Sequence, residues 1–96
     1  MHPVRRRTTG VFAISVAADM VAMQVQNLRV YERRGLLTPD RTAGGTRLYS
    51  EADIERLERI RDLLAEGLNI AGVARVLALE DEVARLRAEN ARLREG

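Results

Sequence analysis

From Val76 onward apolar residues recur every 3.5 positions, and neither glycine nor proline interrupts the chain between Val73 and Glu95. Val76, Val83 and Asn90 fall at heptad position a, and Leu79, Leu86 and Leu93 at d, with Arg and Glu on the flanks. A helix with such a stripe is stable only when a second helix covers it. Residues 76–96 are therefore read as a coiled-coil dimerisation helix. The helix could run unbroken from Ile70, and a bend near 78–81 stays open. Residues 1–75 must then supply everything else. A domain of that size buries a modest core and has no room for a deep catalytic cleft.

The core must be aliphatic, because Phe12, Tyr31 and Tyr49 are the only aromatic residues. That composition suits packed helices better than a sheet sandwich. The chain has no cysteine and a single histidine, His2. Disulfides, thiolate metal sites and cysteine nucleophiles are thereby excluded, and no metal or cofactor site is expected. Acid pairs such as Asp81 and Glu82 read as a solvated helix face, so no enzyme is expected. No apolar run approaches the roughly 20 residues of a membrane span, and the short apolar stretch after Arg5, Arg6 and Arg7 does not make a signal peptide. The expected location is the bacterial cytoplasm, with the nucleoid.

Charge is unevenly spread. Residues 1–50 hold eight arginines against three acids, a net of +5, and residues 51–96 hold eight against eleven, a net of −3. A basic front half points to a polyanion partner. All sixteen basic residues are arginine, a side chain that pairs bidentately with phosphate and guanine edges.

Along the chain, residues 1–10 read as a flexible basic arm. Arg5, Arg6 and Arg7 are either a minor-groove arm or a disordered tail. Val11 to Ile14 is a short apolar run suited to a strand, and Ser15 is a candidate N-cap for a first helix over 16–21. After a break at Ala22–Met23, a second helix is expected over 24–34, with Val25, Leu28 and Tyr31 on one face. Gly35 stands where a left-handed C-cap belongs. Pro39 forbids helix, and the Gly44-Gly45 pair reads as a hairpin turn between two arginine-bearing arms. Ser50 and Asp53 form a capping-box pattern for a third helix with Ile54, Leu57, Ile60 and Leu64 inward. Gly67 ends that helix and Asn69 caps the next.

Helix, turn, helix, glycine, hairpin, helix and coiled coil follow one another in this order. The segment Asn27-Leu28-Arg29-Val30-Tyr31-Glu32-Arg33-Arg34-Gly35-Leu36-Leu37 resembles the recognition-helix signature of the MerR family, in which Leu/Ile-Arg-x-Tyr-Glu leads to Gly-Leu-Leu. The wing Arg41 to Tyr49, then Ser50, Asp53 and Leu57, is similar as well. The resemblance covers about residues 11–77. Within the family the chain looks most like the HspR heat-shock repressors, through Ile14-Ser15-Val16-Ala17-Ala18, Arg41-Thr42-x-Gly44-Gly45 and Glu66-Gly67-Leu68-Asn69-Ile70-Ala71-Gly72. It departs from their pattern at Ala22-Met23-Gln24-Val25.

The resemblance implies a mostly α fold: a winged helix-turn-helix DNA-binding domain over 11–75 with a C-terminal dimerisation helix. It implies a sequence-specific regulator, an HspR-like repressor, bound as a homodimer to an inverted-repeat operator on double-stranded DNA. It also implies the chaperone DnaK as a co-repressor. Other readings are a MerR-like module that binds a chaperone or sigma factor, and a DNA-bending architectural factor.

Arg29 is the leading base or phosphate reader, against the plain alternative of a solvated arginine. Gln24, Gln26 and Asn27 can bond adenine edges or phosphates, or serve the helix start alone. Tyr31 and Tyr49 offer phosphate contacts or packing. Arg41 and Arg47 either lie along DNA or block edge pairing. Arg34 and Thr46 complete the expected DNA-binding set. Val76, Leu79, Val83, Leu86, Asn90 and Leu93 form the expected dimer seam. Asn90 either fixes register or lies in an exposed final turn. Strand direction is in conflict. Glu82 and Glu89 at g would face Arg87 and Arg94 at e of a parallel partner, whereas the family resemblance implies an antiparallel pair. Burial outweighs surface ion pairs, so antiparallel is expected.

Overall fold

A computed structural model describes residues 7–95. His2, Arg5 and Arg6, on which part of the expected arm falls, lie outside the described residues. The chain divides into two compact units, with the division between Asp62 and Leu63. It is mostly helical, with one small sheet.

The sheet has three antiparallel strands in the order β1-β3-β2: β1 (Phe12–Ala13), β2 (Asp40–Arg41) and β3 (Arg47–Tyr49). The expected hairpin is β2–β3. Its turn is closed by Thr42 N–H to Thr46 O and Gly45 N–H to Thr42 O, each at 2.9 Å, with Gly45 at φ 86°. β1 adds a third strand, with Phe12 opposite Tyr49 and Ala13 opposite Leu48. This pairing sets the start of helix α1 (Ile14–Met20). The chain leaves the strand directly into the helix with Ala13 as N-cap and no side-chain cap, so Ser15 lies inside the helix and not at its cap.

The expected arm does not extend through residue 10. Ala52 N–H donates to Arg7 O at 3.0 Å, and the Arg7 guanidinium pairs with Glu55. Gly10 N–H donates to Asp40 Oδ2 at 2.8 Å, and Val11 N–H to Tyr49 O at 2.9 Å. Gly10 is there because backbone approaches closely. A Cβ would collide with the Leu48 carbonyl and lie 2.9 Å from Asp40 Cβ.

Helix α1 and helix α2 (Val25–Arg33) pack together. Ala17, Ala18 and Val21 of the first segment and Leu28 and Tyr31 of the second are buried, as are Leu36 and Leu37. Both helices end in the same way. Ala22 N–H donates to Asp19 O and Met23 N–H to Ala18 O, while Gly35 N–H donates to Glu32 O and Leu36 N–H to Tyr31 O. This is the Schellman arrangement, which requires a left-handed residue after the cap. Gly35 meets the requirement at φ 76°, but Ala22 meets it at φ 55°. An alanine there carries strain that glycine would not. Ala22→Gly is expected to stabilise the chain by about 0.5–1 kcal/mol, read as a higher urea midpoint at unchanged slope.

Helix α3 (Glu51–Ala65) begins with the expected capping box. Ser50 N–H donates to Asp53 Oδ2 at 2.9 Å and Asp53 N–H to Ser50 Oγ at 3.0 Å. Ile54, Leu57 and Ile60 are buried, but Leu63 takes the next buried position and Leu64 is half-buried. Two arginines of α3 serve the helix pair. Arg61 Nη1 donates to the Val21 carbonyl at 2.9 Å and Arg56 Nε to the Leu36 carbonyl. Both acceptors belong to buried residues at helix ends, where an unpaired carbonyl is unfavourable.

In the second unit, helix α4 (Ile70–Glu95) is one unbroken helix. Asn69 caps it as expected, accepting from Gly72 N–H at 2.8 Å. Val73 and Leu77 are buried near its start, while Leu79, Val83, Leu86 and Leu93 are exposed.

Candidate nucleic-acid interface

Helix α2 turns two different faces outward and inward. Leu28 and Tyr31 are buried. Gln26, Arg29 and Arg33, spaced three and four apart, share the opposite face and are exposed. Gln24 is the N-cap, with β-region backbone and no side-chain cap bond. Gln24 and Asn27 are exposed at the helix start, and Arg34 is exposed at its C-cap. The expected set Gln24, Gln26, Asn27, Arg29 and Arg34 is thus on the surface of one helix. Arg33 was missed, although its spacing from Gln26 and Arg29 shows in the sequence.

The wing stands on the flank of α2 that carries Glu32. Arg41 and Arg47 are direct cross-strand partners in the hairpin, a like-charge pairing that is unfavourable by itself. The Glu32 carboxylate resolves it. Arg41 Nη2 donates to Glu32 Oε2 at 2.8 Å, and Arg47 Nε donates to Glu32 Oε1. Partial burial alone raises the Glu32 carboxyl, but hydrogen bonds from Arg47 and then Arg41 outweigh it, holding the group below its ordinary value. Arg41 also donates from Nη1 to Gly45 O at 2.9 Å across the turn. Thr46 is exposed at the turn, with its N–H donating to Thr42 Oγ1 at 3.1 Å. Glu32 is the second residue that sequence reasoning missed. Its role depends on a contact 15 positions away, to Arg47, which no local pattern announces.

Two tyrosines need correction. Tyr49, expected as a DNA contact, is 0% exposed and belongs to the core. Its backbone pairs with Phe12 of β1, and its side chain is enclosed. Its hydroxyl is buried with no hydrogen-bond partner among the described residues, and burial, then the nearby Glu32 charge, pushes it up from its ordinary value. Tyr31 is also in the core, at 4% exposure, and burial pushes its hydroxyl up as well. Tyr49→Phe is therefore expected to be neutral or to stabilise the chain by about 1 kcal/mol, because it removes an unsatisfied buried group. DNA affinity should not change. A weaker complex with an intact fold would return Tyr49 to the interface.

In α4 the heptad residues line two shallow grooves on one helix face. One runs past Val76, Leu79 and Val83, the next past Val83, Leu86, Asn90 and Leu93. Arg85 lies outside this stripe and bonds within the helix to Glu82 at 2.6 Å and Glu89 at 3.4 Å.

The sequence and the fold both have relatives. A heat shock protein named HspR from Streptomyces coelicolor is 49% identical over 86 residues, 88% of this chain and 57% of that protein. The HTH-type transcriptional regulator GlnR of Bacillus cereus is 38% identical over 76 residues, 79% of this chain and 59% of that protein. The chain thus spans less than two thirds of the length of these curated relatives. HiNmlR, a MerR family regulator lacking the sensor domain and bound to promoter DNA, superposes with a TM-score of 0.64 over 88% of this chain and 76% of its own, at 19% identity, and so shares the fold. The family model for MerR HTH family regulatory proteins matches residues 12–80, which include α1, α2, the wing and α3. With most of its length matched in this way, the chain belongs to the MerR family of helix-turn-helix regulatory proteins.

Proposed function

We propose that this chain is a sequence-specific DNA-binding transcription regulator, an HspR-like repressor that binds an inverted-repeat operator as a homodimer. The observation that carries this is the outward face of α2: Gln26, Arg29 and Arg33 exposed on a helix locked from behind by Leu28 and Tyr31. Arginine and amide side chains of this kind read base edges when a helix enters the major groove. The wing arginine Arg47 stands beside that face to hold the backbone, which fixes register without carrying sequence. HspR and GlnR are both named as regulators or heat shock proteins, and a regulator of the same fold is bound to promoter DNA.

The stripe of half-buried Val76 and exposed Leu79, Val83, Leu86, Asn90 and Leu93 supports pairing of α4 with a second copy. The pairs from Arg85 to Glu82 and Glu89 already partner the g-position carboxylates within one helix. That lessens the repulsion an antiparallel pair would meet, and favours antiparallel packing. The chaperone DnaK as co-repressor follows from the likeness to HspR, and the site of action is the cytoplasm, at the nucleoid.

The test is selection from a random duplex pool with the purified chain, followed by salt titration. An inverted repeat should emerge, bound with a log–log salt slope of about −0.9 per phosphate contacted. A steep slope with no preferred sequence would indicate an architectural DNA bender. No binding to any duplex would leave a protein-interaction module.

A further inference from the structure

Glu32 is an acid in the middle of a basic surface, which lowers attraction to any polyanion. Its two ion pairs use the wing arginines differently. Arg41 spends Nη1 on Gly45 O and Nη2 on Glu32. Both arms of its guanidinium are held by acceptors of the protein, so it offers no fork of two free Nη groups, although 44% of its side chain is exposed. Among the described residues Arg47 is held through Nε alone, so both of its Nη groups, with four N–H donors, remain for an external acceptor. Arg47 keeps 27% of its side chain exposed.

Resting on the DNA-binding reading above, we infer that Glu32 is a positioning residue that fixes the Arg47 guanidinium for one bidentate phosphate contact, with Arg41 as an anchor and not a DNA contact. A guanidinium gripped at Nε is left with its two Nη groups as a fork, which matches two phosphate oxygens. Because Glu32 belongs to the recognition helix, the phosphate held by the wing and the bases read by Arg29 are set in one register. The carboxylate also offsets one of two facing positive charges. DNA that fits only the charge, and not the register, therefore gains less from the wing. Glu32 thus sets selectivity rather than raw affinity. Without it the two facing arginines repel, the wing loses its fixed relation to α2, and one more positive charge is open to any duplex.

The experiment uses the selected inverted repeat and a shuffled duplex of equal length and composition, titrated over salt. Arg47→Ala should flatten the salt slope by about one unit on both duplexes. Arg41→Ala should leave the slope on the shuffled duplex within a few tenths. Glu32→Gln should bind the shuffled duplex about threefold tighter with a steeper slope, and should lose about tenfold in the ratio of shuffled to selected dissociation constants. Glu32→Asp, which keeps the charge, should recover part of that ratio. A slope loss of one unit in Arg41→Ala would make Arg41 a phosphate contact and overturn the assignment. So would an unchanged ratio in folded Glu32→Gln. Should Glu32→Gln not fold, the contrast between Arg41→Ala and Arg47→Ala decides alone. A wild-type chain with no preferred duplex would overturn the regulator reading, while the slope contrast on shuffled DNA would still judge this one. Binding to neither duplex overturns both.

Discussion

Arg29→Ala weakens binding to the selected inverted repeat by about 1–3 kcal/mol, the value of one good bidentate base contact. The fold should not suffer, because Arg29 is exposed on the face of α2 opposite Leu28 and Tyr31. Unfolding free energies from urea titration should stay within ~0.5 kcal/mol, as for other surface substitutions. The loss should be concentrated on the selected sequence. Binding to shuffled DNA should fall much less, with the salt slope changed by no more than about a few tenths, because a base contact neutralises no phosphate. Gel-shift titrations at fixed salt on both duplexes separate these cases. Equal losses on the two duplexes would make Arg29 a phosphate contact, and specificity would then rest on Gln26 and Arg33. No loss on either would remove Arg29 from the interface.

Local features of this chain were legible in its sequence, and contacts between distant segments were not. The capping box of Ser50 and Asp53, the left-handed stops at Gly35 and Gly67, and the Asn69 cap are each written within a few residues. All four stand in the structure. The pairing of β1 with β3 depends on residues more than thirty positions apart. That pairing displaced the start of α1 and brought backbone close to Gly10. Arg56 and Arg61 bond the carbonyls of buried Leu36 and Val21, 20 and 40 positions away, which no local pattern announces. The same limit applied at the site. The arginines of the wing were visible as residue types, but Glu32 passed as one letter of a motif until the fold placed it between them. Ala22 is the opposite case. Its left-handed backbone is a local requirement met by a residue that does not favour it, so the break at Ala22–Met23 was legible and its left-handed conformation was not.

Leu86→Asp should abolish the dimer and, with it, cooperative binding to the inverted repeat. Leu86 is 49% exposed in the single chain and lies at the centre of the stripe between Val83 and Asn90. Burying such a leucine fully is worth about 1.5–3 kcal/mol, and roughly half of that remains to be gained here. A carboxylate in its place must lose water without a partner, a penalty of several kcal/mol per ion. A two-fold dimer incurs it twice. The helix from Val76 to Glu95 is only about 30 Å long at 1.5 Å per residue, so few other contacts along it are available to offset that loss. Sedimentation should show a monomer, while α1 to α3 keep their stability. Direction is read separately, by placing a cysteine at Leu93 near the end of the helix. In an antiparallel pair the two copies of residue 93 lie at opposite ends, beyond the reach of a disulfide, which needs Cα atoms within about 7 Å. Crosslinking of Leu93→Cys should therefore be slow. Fast disulfide formation there would show that the helices run parallel. A dimer that survives Leu86→Asp would show that α4 is not the seam.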